Sequence, residues 1–370
     1  MFKSSSLIFL FSILLLSNKI SRAQSKSDEV RTYLVNEMGK QKIPGLQIVV
    51  ISQGKIIFSK ALGIANVEFS VPATESTIFS INSITKVFTG TAIMQLVEEG
   101  KIDIEKPVSN YLDSLPANWQ SVTIKQLLSN TSGLPDVEDD FTGGPIGNKG
   151  EDTAWQIVKT MPLQFQPGEQ FSYNATNYLL LGKIIEKHGK LPFEQFIQKY
   201  QLDVVGMKRT IYGNSYNVVK DKTPTYSYYH HDKSTGKDIK DNQLLEVYEE
   251  FPKMLRADAG MFSTAKEMAQ WILALQTKGL LRDEKSIKTM WTPVKLNNGG
   301  HGGFGGILNA YALGWPVVER KQHPAVASIG GGRAAFLIYP QDNLTIILLT
   351  NLTGCSPELI ADKIAEFYFK

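Results

Sequence analysis

Strand-like segments near both ends of the chain constrain its fold more than any other feature. Near the N-terminus, two apolar runs within residues 46–59 flank a polar turn and predict a β-hairpin. Near the C-terminus, residues 334–339 and 344–350 are strand-like and are joined by a polar turn. The patterns between the two ends, from 83 to 277, are mostly helical. We therefore expect an α+β fold (an α/β sandwich), in which an antiparallel sheet from both chain ends is flanked by the terminal helices.

The same order of elements predicts the domain organisation. Residues 24–82 and 278–370 are expected to form the α/β sheet domain, and residues 83–277 a large, mainly helical inserted domain. Ligand sites favour domain boundaries, so a cleft is expected where the two domains meet.

Residues 1–23 have the composition of a signal peptide. A basic residue near the start precedes the apolar run from Leu7 to Leu16, and small residues flank Arg22 at the positions relevant for cleavage. The apolar run is too short to span a bilayer. We expect an exported protein, periplasmic or extracellular, whose mature chain has no membrane span.

The charge of the chain favours a small-molecule or peptide substrate over a polyanionic partner. The full chain has a formal net charge of +3. Its first 23 residues carry Lys3, Lys19 and Arg22 and no acidic residue, so removing these three charges leaves a net charge of zero. We therefore expect no nucleic acid and no membrane surface as a partner.

Metal and cofactor chemistry is not expected. Cys355 is the only cysteine, which excludes an internal disulfide and a cysteine-based metal site. The five histidines show no spacing typical of metal ligands. Residues 300–305 fit a Gly-x-Gly-x-x-Gly pattern, but they neither follow a clear strand nor open a helix, so a flexible loop is the better interpretation.

The motif that carries chemistry is the tetrapeptide from Ser83 to Lys86. It opens the most apolar helix-like stretch of the mature chain, which ends at Gly100. Residues three apart in a helix lie on one face, so we expect the Ser83 hydroxyl and the Lys86 amine within bonding reach. Serine becomes an effective nucleophile when a neighbouring group removes its proton.

The Ser-x-x-Lys pattern occurs three more times, and its context argues against each match. The other matches are Ser52/Lys55, Ser234/Lys237 and Ser263/Lys266. The first lies in the predicted hairpin turn, and the second in a polar stretch with no helical period. The third begins a helix at which Thr264 and Glu267 predict a capping box, and capping explains this serine without any chemistry.

Tyr173 is the candidate for a proton shuttle. It lies in a turn just before a predicted helix, so its side chain can point into a cleft. A phenol beside ammonium groups has its anion favoured, and we therefore expect a lowered pKa for Tyr173. The alternative is a half-buried aromatic residue with a solvated hydroxyl and no chemical role.

Ser83, Lys86 and the Tyr173 segment together resemble the serine β-lactamase and penicillin-binding family in its class C branch. That branch includes D-alanyl-D-alanine carboxypeptidases, D-aminopeptidases and esterases. The likeness extends over nearly all of the mature chain, in segments 43–45, 63–65, 127–135, 167–168, 178–182, 260–265 and 313–315. The family fold, an α/β domain made from both chain ends with a helical insertion, agrees with the order of elements described above.

The resemblance implies a role for each member of the trio. Ser83 is expected to be the acylated nucleophile, Lys86 its proton partner and Tyr173 the general base and acid. The backbone N–H groups of Ser83 and Gly331 are then expected to form the oxyanion hole, which gives a function to the glycine run 330–332.

One departure from the family pattern lies next to Tyr173. Ala175 stands where the family has the asparagine of its Tyr-x-Asn motif, whose amide contacts the substrate and the lysine. Asn174 and Asn177 are the candidates to substitute for that amide, although neither occupies the same position.

A second departure lies on the strand that is expected to border the site. The family's Lys-Thr-Gly or His-x-Gly element falls on Ser328, Ile329 and Gly330, where no basic side chain stands. Ser328 and Gly330 are candidate substrate contacts at this edge. Arg333 is the nearest cation and the candidate replacement for the missing basic residue.

Together these features predict an exported serine hydrolase that forms an acyl-enzyme on Ser83. An ester or a D-amino-acid peptide or amide is the favoured substrate, with weak β-lactamase or penicillin-binding activity at most, because both departures affect the surroundings of the substrate. The alternative is a non-catalytic binding or scaffold protein that keeps the fold and the pocket.

Overall fold

Eight antiparallel strands from the two ends of the chain form one large sheet. The structure, a computed structural model, describes residues 26–139, 144–232 and 234–369, so the predicted signal peptide lies outside the described residues. In spatial order the strands are β11 (Ala310–Tyr311), β12 (Pro316–Val318), β13 (Ala325–Gly330), β14 (Ala334–Tyr339), β15 (Leu344–Thr350), β1 (Gly45–Ser52), β2 (Lys55–Asn66) and β3 (Val71–Pro72). The sheet confirms the α+β fold, including the predicted N-terminal hairpin, which is β1 and β2.

The centre of this sheet joins the two chain ends directly. Strand β1 pairs with β15, so that Leu46 lies opposite Thr350. Successive residues of a strand point to opposite faces, and both faces of β1 and β15 are covered. Ile48 and Val50 therefore belong to one apolar core, and Val49 to a second core on the other face.

Helices cover the two faces of the sheet. The helices are α1 (26–41), α2 (Thr85–Glu98), α3 (Ile124–Leu128), α4 (Glu151–Thr160), α5 (Ala175–Gly189), α6 (Phe193–Ile197), α7 (Asp203–Val205), α8 (Ala265–Gln276), α9 (Glu284–Trp291) and α10 (Pro357–Glu366). The terminal helices α1 and α10 pack into one core with β14 and β15, as the sequence predicted. Helix α8, which we expected in the inserted domain, lies against β1 and β15 on the other face. The exact domain boundaries stay a prediction.

A three-stranded sheet connects the large sheet to the helical part of the chain. It consists of β4 (Phe79–Asn82), β10 (Met261–Ser263) and β7 (Ile211–Tyr212), with β10 in the middle. Two hairpins complete the described strands. They are β5 (Glu138–Asp139) with β6 (Gly144–Pro145), and β8 (Tyr226–Asp232) with β9 (Lys237–Glu246).

Helix α2 runs through the middle of the molecule and directly follows β4. Eleven of its fourteen residues are buried, so most of the circumference of the helix is covered by the rest of the protein. A Cβ on Gly90 would lie 2.8 Å from the carbonyl oxygen of Leu313, which shows how closely the chain passes this helix. The predicted stop at Gly100 is confirmed by a left-handed φ of +70°.

Among the described residues, no helix is long and apolar enough to cross a membrane.

Candidate active site

The turn between β4 and α2 carries Ser83. Backbone bonds close this turn, from Ile84 N to Ile81 O at 3.0 Å and from Lys86 N to Ser83 O at 3.1 Å. The residue before the serine, Asn82, has a φ of +44°, a left-handed conformation that asparagine tolerates better than most residues. The serine therefore lies at a sharp bend at the base of a buried helix.

Lys86 is buried beside Ser83 and forms an ion pair with Asp258. Its Nζ lies 3.5 Å from Ser83 Oγ and 3.3 Å from the carbonyl oxygen of Asp258. The Lys86 and Asp258 side chains are in direct contact and are 2 % and 9 % exposed. A buried ammonium requires such a partner, because an unpaired charge in the interior is strongly unfavourable.

The ring of Tyr173 lies against the amine of Lys86. The distance from Lys86 Nζ to the Tyr173 ring centroid is 4.3 Å, which is within cation–π range. The Ser83 hydroxyl is close enough to the Tyr173 hydroxyl to lower the pKa of the phenol. The structure thus brings all three predicted catalytic side chains together.

The expected lowering of the Tyr173 pKa is wrong. Burial of the phenol oxygen raises the pKa of Tyr173 well above its ordinary value, the nearby Asp258 carboxylate raises it further, and the hydrogen bond with Ser83 lowers it. The outer part of the ring is still exposed and packs on Phe304 at 5.0 Å between ring centroids. The expectation failed mainly because it did not count the burial of the phenol, which disfavours its anion, and it also missed the carboxylate paired with Lys86.

A second carboxylate, Asp136, lies close to the trio. Its oxygens accept hydrogen bonds from the backbone N–H groups of Glu138 and Ala175, each at 3.1 Å. Burial raises the pKa of Asp136 to about 6, and the negative charge of Asp258 adds to this. Sequence reasoning missed both Asp136 and Asp258. The only signal was the rule that a buried lysine needs a carboxylate, and that rule does not say which of the 36 acidic residues supplies it.

Both asparagines proposed to replace the missing amide hold the start of α5. Asn174 caps this helix by accepting from Asn177 N at 3.2 Å, and its own Nδ2 donates to Leu134 O at 2.7 Å. Asn177 accepts from Ser132 Oγ at 2.6 Å and donates to Asn130 Oδ1 at 3.0 Å. Both side chains are buried, and these contacts tie α5 to the segment before it.

The glycine run 330–332 at the end of β13 makes both a close backbone contact and a tight turn. Gly330 lies so close to the Ser83 turn that a Cβ on it would come within 1.9 Å of the carbonyl oxygen of Ile81. Gly331 and Gly332 have φ values of +54° and +60° and make the turn into β14. Ser328 lies on β13, is buried, and pairs across the sheet with Phe336. The end of β13 thus borders the Ser83 turn.

Arg333 is buried, and its guanidinium is bound by the protein. Its Nη2 lies 2.7 Å from both carboxylate oxygens of Glu249 and 2.9 Å from Ser80 Oγ. Its Nη1 donates to Thr353 Oγ1 at 3.1 Å. The cation expected to receive a substrate anion is therefore neutralised by Glu249.

The other Ser-x-x-Lys matches do not form comparable pairs. Ser263 is buried and shares a hydrogen bond with Thr210 at 2.7 Å, while Lys266 pairs with Glu75 at the surface. Thr264 caps α8 by accepting from Glu267 N. The predicted capping box is only half formed, because the Glu267 carboxylate accepts from Arg209 N at 2.8 Å and Thr210 Oγ1 at 2.6 Å instead. In the described part of the chain, no group of three histidine, cysteine, aspartate or glutamate residues is arranged to hold a metal ion.

This geometry combines a hydroxyl, an ammonium and a neutral phenol. The hydroxyl can act as a nucleophile, the ammonium can stabilise negative charge on it, and the phenol can transfer a proton. Such a set is suited to acyl transfer without a metal ion.

Comparison with known proteins identifies a family model and individual proteins that this chain resembles. The model of the Beta-lactamase family matches residues 30–368. Protein flp of Staphylococcus aureus (strain MW2) is 28% identical over 336 residues, which are 88% of this chain and 63% of that protein. This chain therefore spans less than two thirds of the length of that relative. Penicillin-binding protein 4* of Bacillus subtilis (strain 168) is 25% identical, covering 89% of this chain and 72% of that protein.

A solved structure shows the same fold. The octameric penicillin-binding protein homologue from Pyrococcus abyssi superposes with a TM-score of 0.75 at 26% sequence identity. The match covers 92% of this chain and 76% of that one.

Proposed function

Because the chain belongs to the Beta-lactamase family, we propose that it is a serine hydrolase that forms an acyl-enzyme on Ser83. The observation that carries the proposal is the convergence of two groups, the ammonium of Lys86 and the phenol of Tyr173, on the hydroxyl of Ser83. Ser83 Oγ lies 3.5 Å from Lys86 Nζ, and the Ser83 hydroxyl is close enough to the Tyr173 hydroxyl to lower its pKa. Lys86 is in turn fixed by Asp258. A scaffold protein has no physical need for this trio.

In the proposed reaction, Ser83 Oγ attacks the acyl carbon of the substrate. Tyr173, held neutral by its buried position and by Asp258, takes the Ser83 proton as it gives its own proton to the leaving atom. The bond to the leaving atom breaks, and the acyl group remains on Ser83. Water then releases it by the same steps in reverse.

Lys86 and two backbone N–H groups stabilise the charge that develops. The ammonium of Lys86 lies against Ser83 Oγ, where it favours the alkoxide character of the attacking oxygen. The N–H groups of Ser83 and Gly331 form the proposed oxyanion hole, which the close approach of Gly330 to the Ser83 turn supports.

The surroundings of the trio favour an ester or a D-amino-acid peptide or amide over a dedicated β-lactam substrate. Ser328 stands where the family resemblance expects a basic side chain, and Arg333 is paired with Glu249. Asp136 and Asp258 add negative charge beside Tyr173. An anionic group on the substrate therefore adds little binding energy at this site. Any β-lactamase or penicillin-binding activity is accordingly expected to be weak.

Covalent labelling tests the proposal. The protein is incubated with a fluorophosphonate probe or with a labelled penicillin, and the modified residue is located by mass spectrometry. We expect the fluorophosphonate to modify Ser83, and the penicillin to react slowly or not at all. Ser83→Ala should abolish labelling, while Ser263→Ala, at a matched Ser-x-x-Lys position, should retain it.

The second candidate function, a non-catalytic binding or scaffold protein, is favoured by Ala175 and Ser328, which stand where the family pattern has an amide and a basic side chain. Folded protein that leaves Ser83 unmodified by both reagents would support this second function.

The proposed place of action is outside the cytoplasm, in the periplasm or beyond. The composition of residues 1–23 supports it. Expression of the full chain followed by N-terminal analysis of the secreted or periplasmic fraction should give a mature protein that begins after Ala23. Recovery of uncleaved protein in the cytoplasm alone would contradict export.

A further inference from the structure

We propose that Glu249, held by Arg333, positions the nucleophile through the side chain of Asn82. Glu249 and Arg333 are then positioning residues that do not contact the substrate. This inference rests on the proposed function, because it concerns how Ser83 is held for attack.

The first link is between Asn82 and Ser83. Ser83 Oγ donates to Asn82 Oδ1 at 3.2 Å. A serine hydroxyl has one proton and two lone pairs. With Asn82 as its acceptor, Ser83 Oγ is free to accept from the ammonium of Lys86. This is the resting position of the hydroxyl, and its proton turns from Asn82 to Tyr173 as the attack begins.

The second link is between Asn82 and Glu249. Asn82 Nδ2 donates to Glu249 Oε1 at 3.2 Å. An ionised carboxylate only accepts hydrogen bonds, so the Asn82 amide must direct its NH₂ group toward Glu249. The opposite end of the amide, the carbonyl oxygen, is then the end that meets Ser83. Glu249 therefore fixes which way the Asn82 amide is turned.

The third link holds Glu249 itself. Arg333 Nη2 contacts both Glu249 oxygens at 2.7 Å, and the Arg333 side chain is 2 % exposed. The Glu249 backbone N–H is bound by Ser215 Oγ at 2.8 Å. Arg333 is further held by Ser80 in β4, two residues before Asn82. A buried, multiply bonded pair of this kind has little freedom to move.

The backbone conformation at Asn82 allows its side-chain amide to be removed without disturbing the fold. Its φ of +44° is one that glycine adopts without cost. Asn82→Gly therefore keeps the bend before Ser83 and removes only the amide. The hydrogen bond that restricts Ser83 to one of its staggered rotamers is lost, while the Arg333–Glu249 pair stays intact.

The test measures the second-order rate of fluorophosphonate labelling at Ser83 across pH. Glu249→Gln can present an NH₂ group to Asn82 and let its amide turn over, so labelling should slow about tenfold, the effect of one lost hydrogen bond. Asn82→Gly should slow labelling by a similar factor. Glu250→Gln, at the exposed neighbouring position, should label at the wild-type rate.

A double-mutant cycle distinguishes positioning from a general structural effect. If Glu249 acts through Asn82, then Glu249→Gln should change the rate less than about twofold in the Asn82→Gly background. Additive losses, or single variants that label at or above the wild-type rate, would overturn the inference. If Glu249→Gln does not fold, labelling of Asn82→Gly at the wild-type rate would still overturn the inference. Wild-type protein that is never labelled would instead refute the proposed hydrolase.

Discussion

Lys86 has two partners of different kinds, the carboxylate of Asp258 and the hydroxyl of Ser83. Replacing Asp258 with asparagine keeps the size of the side chain and leaves a buried ammonium without its counter-charge. We expect a loss of about 3 kcal/mol in the free energy of unfolding, measured with urea. Glu75→Gln, which breaks the exposed pair with Lys266, is the control and should cost no more than about 1 kcal/mol.

The same substitution of Asp258 predicts a change in pH dependence. Asp258 is one of the groups that raise the pKa of Tyr173, so removing its charge lowers that pKa. The alkaline limb of the pH–rate profile for labelling of Ser83 should therefore move to lower pH in Asp258→Asn. A limb at the same pH in both proteins would show that Tyr173 does not limit the reaction.

Asp136 gives a pH-dependent contribution to stability whose sign follows from its raised pKa. Its pKa is about 6 in the folded protein and 3.8 without the fold. Ionisation of Asp136 therefore opposes folding, and its contribution becomes less favourable as pH rises from about 4 to 6. The difference approaches about 3 kcal/mol at neutral pH. The stability of Asp136→Asn relative to wild type should improve over that range in urea unfolding. A constant difference would contradict the shift.

The sequence could predict that Ser83, Lys86 and Tyr173 lie together, but not the electrostatics around them. Ser83 and Lys86 are three apart at the start of an apolar helix, which is a local pattern. Asp258 and Glu249 reach the site from distant positions, and only the tertiary structure shows which cation each one meets. For the same reason the sequence predicted that Arg333 contacts the substrate, because its partner Glu249 lies 84 residues away along the chain.

At the scale of elements, the contact between β13 and the Ser83 turn is the tightest packing around the site. Gly330→Ala would place a Cβ within 1.9 Å of the Ile81 carbonyl, and backbone atoms at both sides cannot move aside cheaply. We expect a large loss of stability and of Ser83 labelling. Gly39→Ala, in helix α1 with nothing within 4 Å of the new Cβ, should leave labelling unchanged and raise stability by about 1 kcal/mol at most.

The start of α5 allows a test of the substrate role first assigned to Asn174. Asn174→Ala removes a helix cap and the bond to Leu134, so stability should fall by about 1 to 2 kcal/mol. Because these contacts are structural, labelling of Ser83 per folded molecule should be unchanged. Thr264→Ala removes the cap of α8 and is the matched control. A lower rate in Asn174→Ala alone would restore the substrate role.

Elements with a clear local sequence pattern could be predicted well. Residues 334–339 and 344–350 are the strands β14 and β15 as found, because buried central strands are continuous apolar runs. The short strands β4, β7 and β10 carry no such pattern, and their pairing depends on tertiary contacts, since β4 lies against β13, β14 and β15. Helix α8 has a predictable helical pattern, but its position on the sheet does not follow from that pattern.

At the scale of the whole molecule, one apolar core extends from the sheet to the helical part. Val49, Phe88 and Leu180, from β1, α2 and α5, all belong to it. The two parts of the chain are therefore expected to unfold together. Far-ultraviolet and near-ultraviolet circular dichroism should give coincident urea transitions, and two separate transitions would show that the helical part is independently stable.

The pairing of β1 with β15 also determines when the molecule can fold during synthesis. Ser52 is made early and Leu344 near the end, yet they are paired neighbours at the centre of the sheet. Until the last strands leave the ribosome, the β1–β2 hairpin has an open edge and two uncovered apolar faces. Contacts so distant along the chain form slowly. The nascent protein therefore exposes an aggregation-prone strand edge until residues 344–350 have been synthesised.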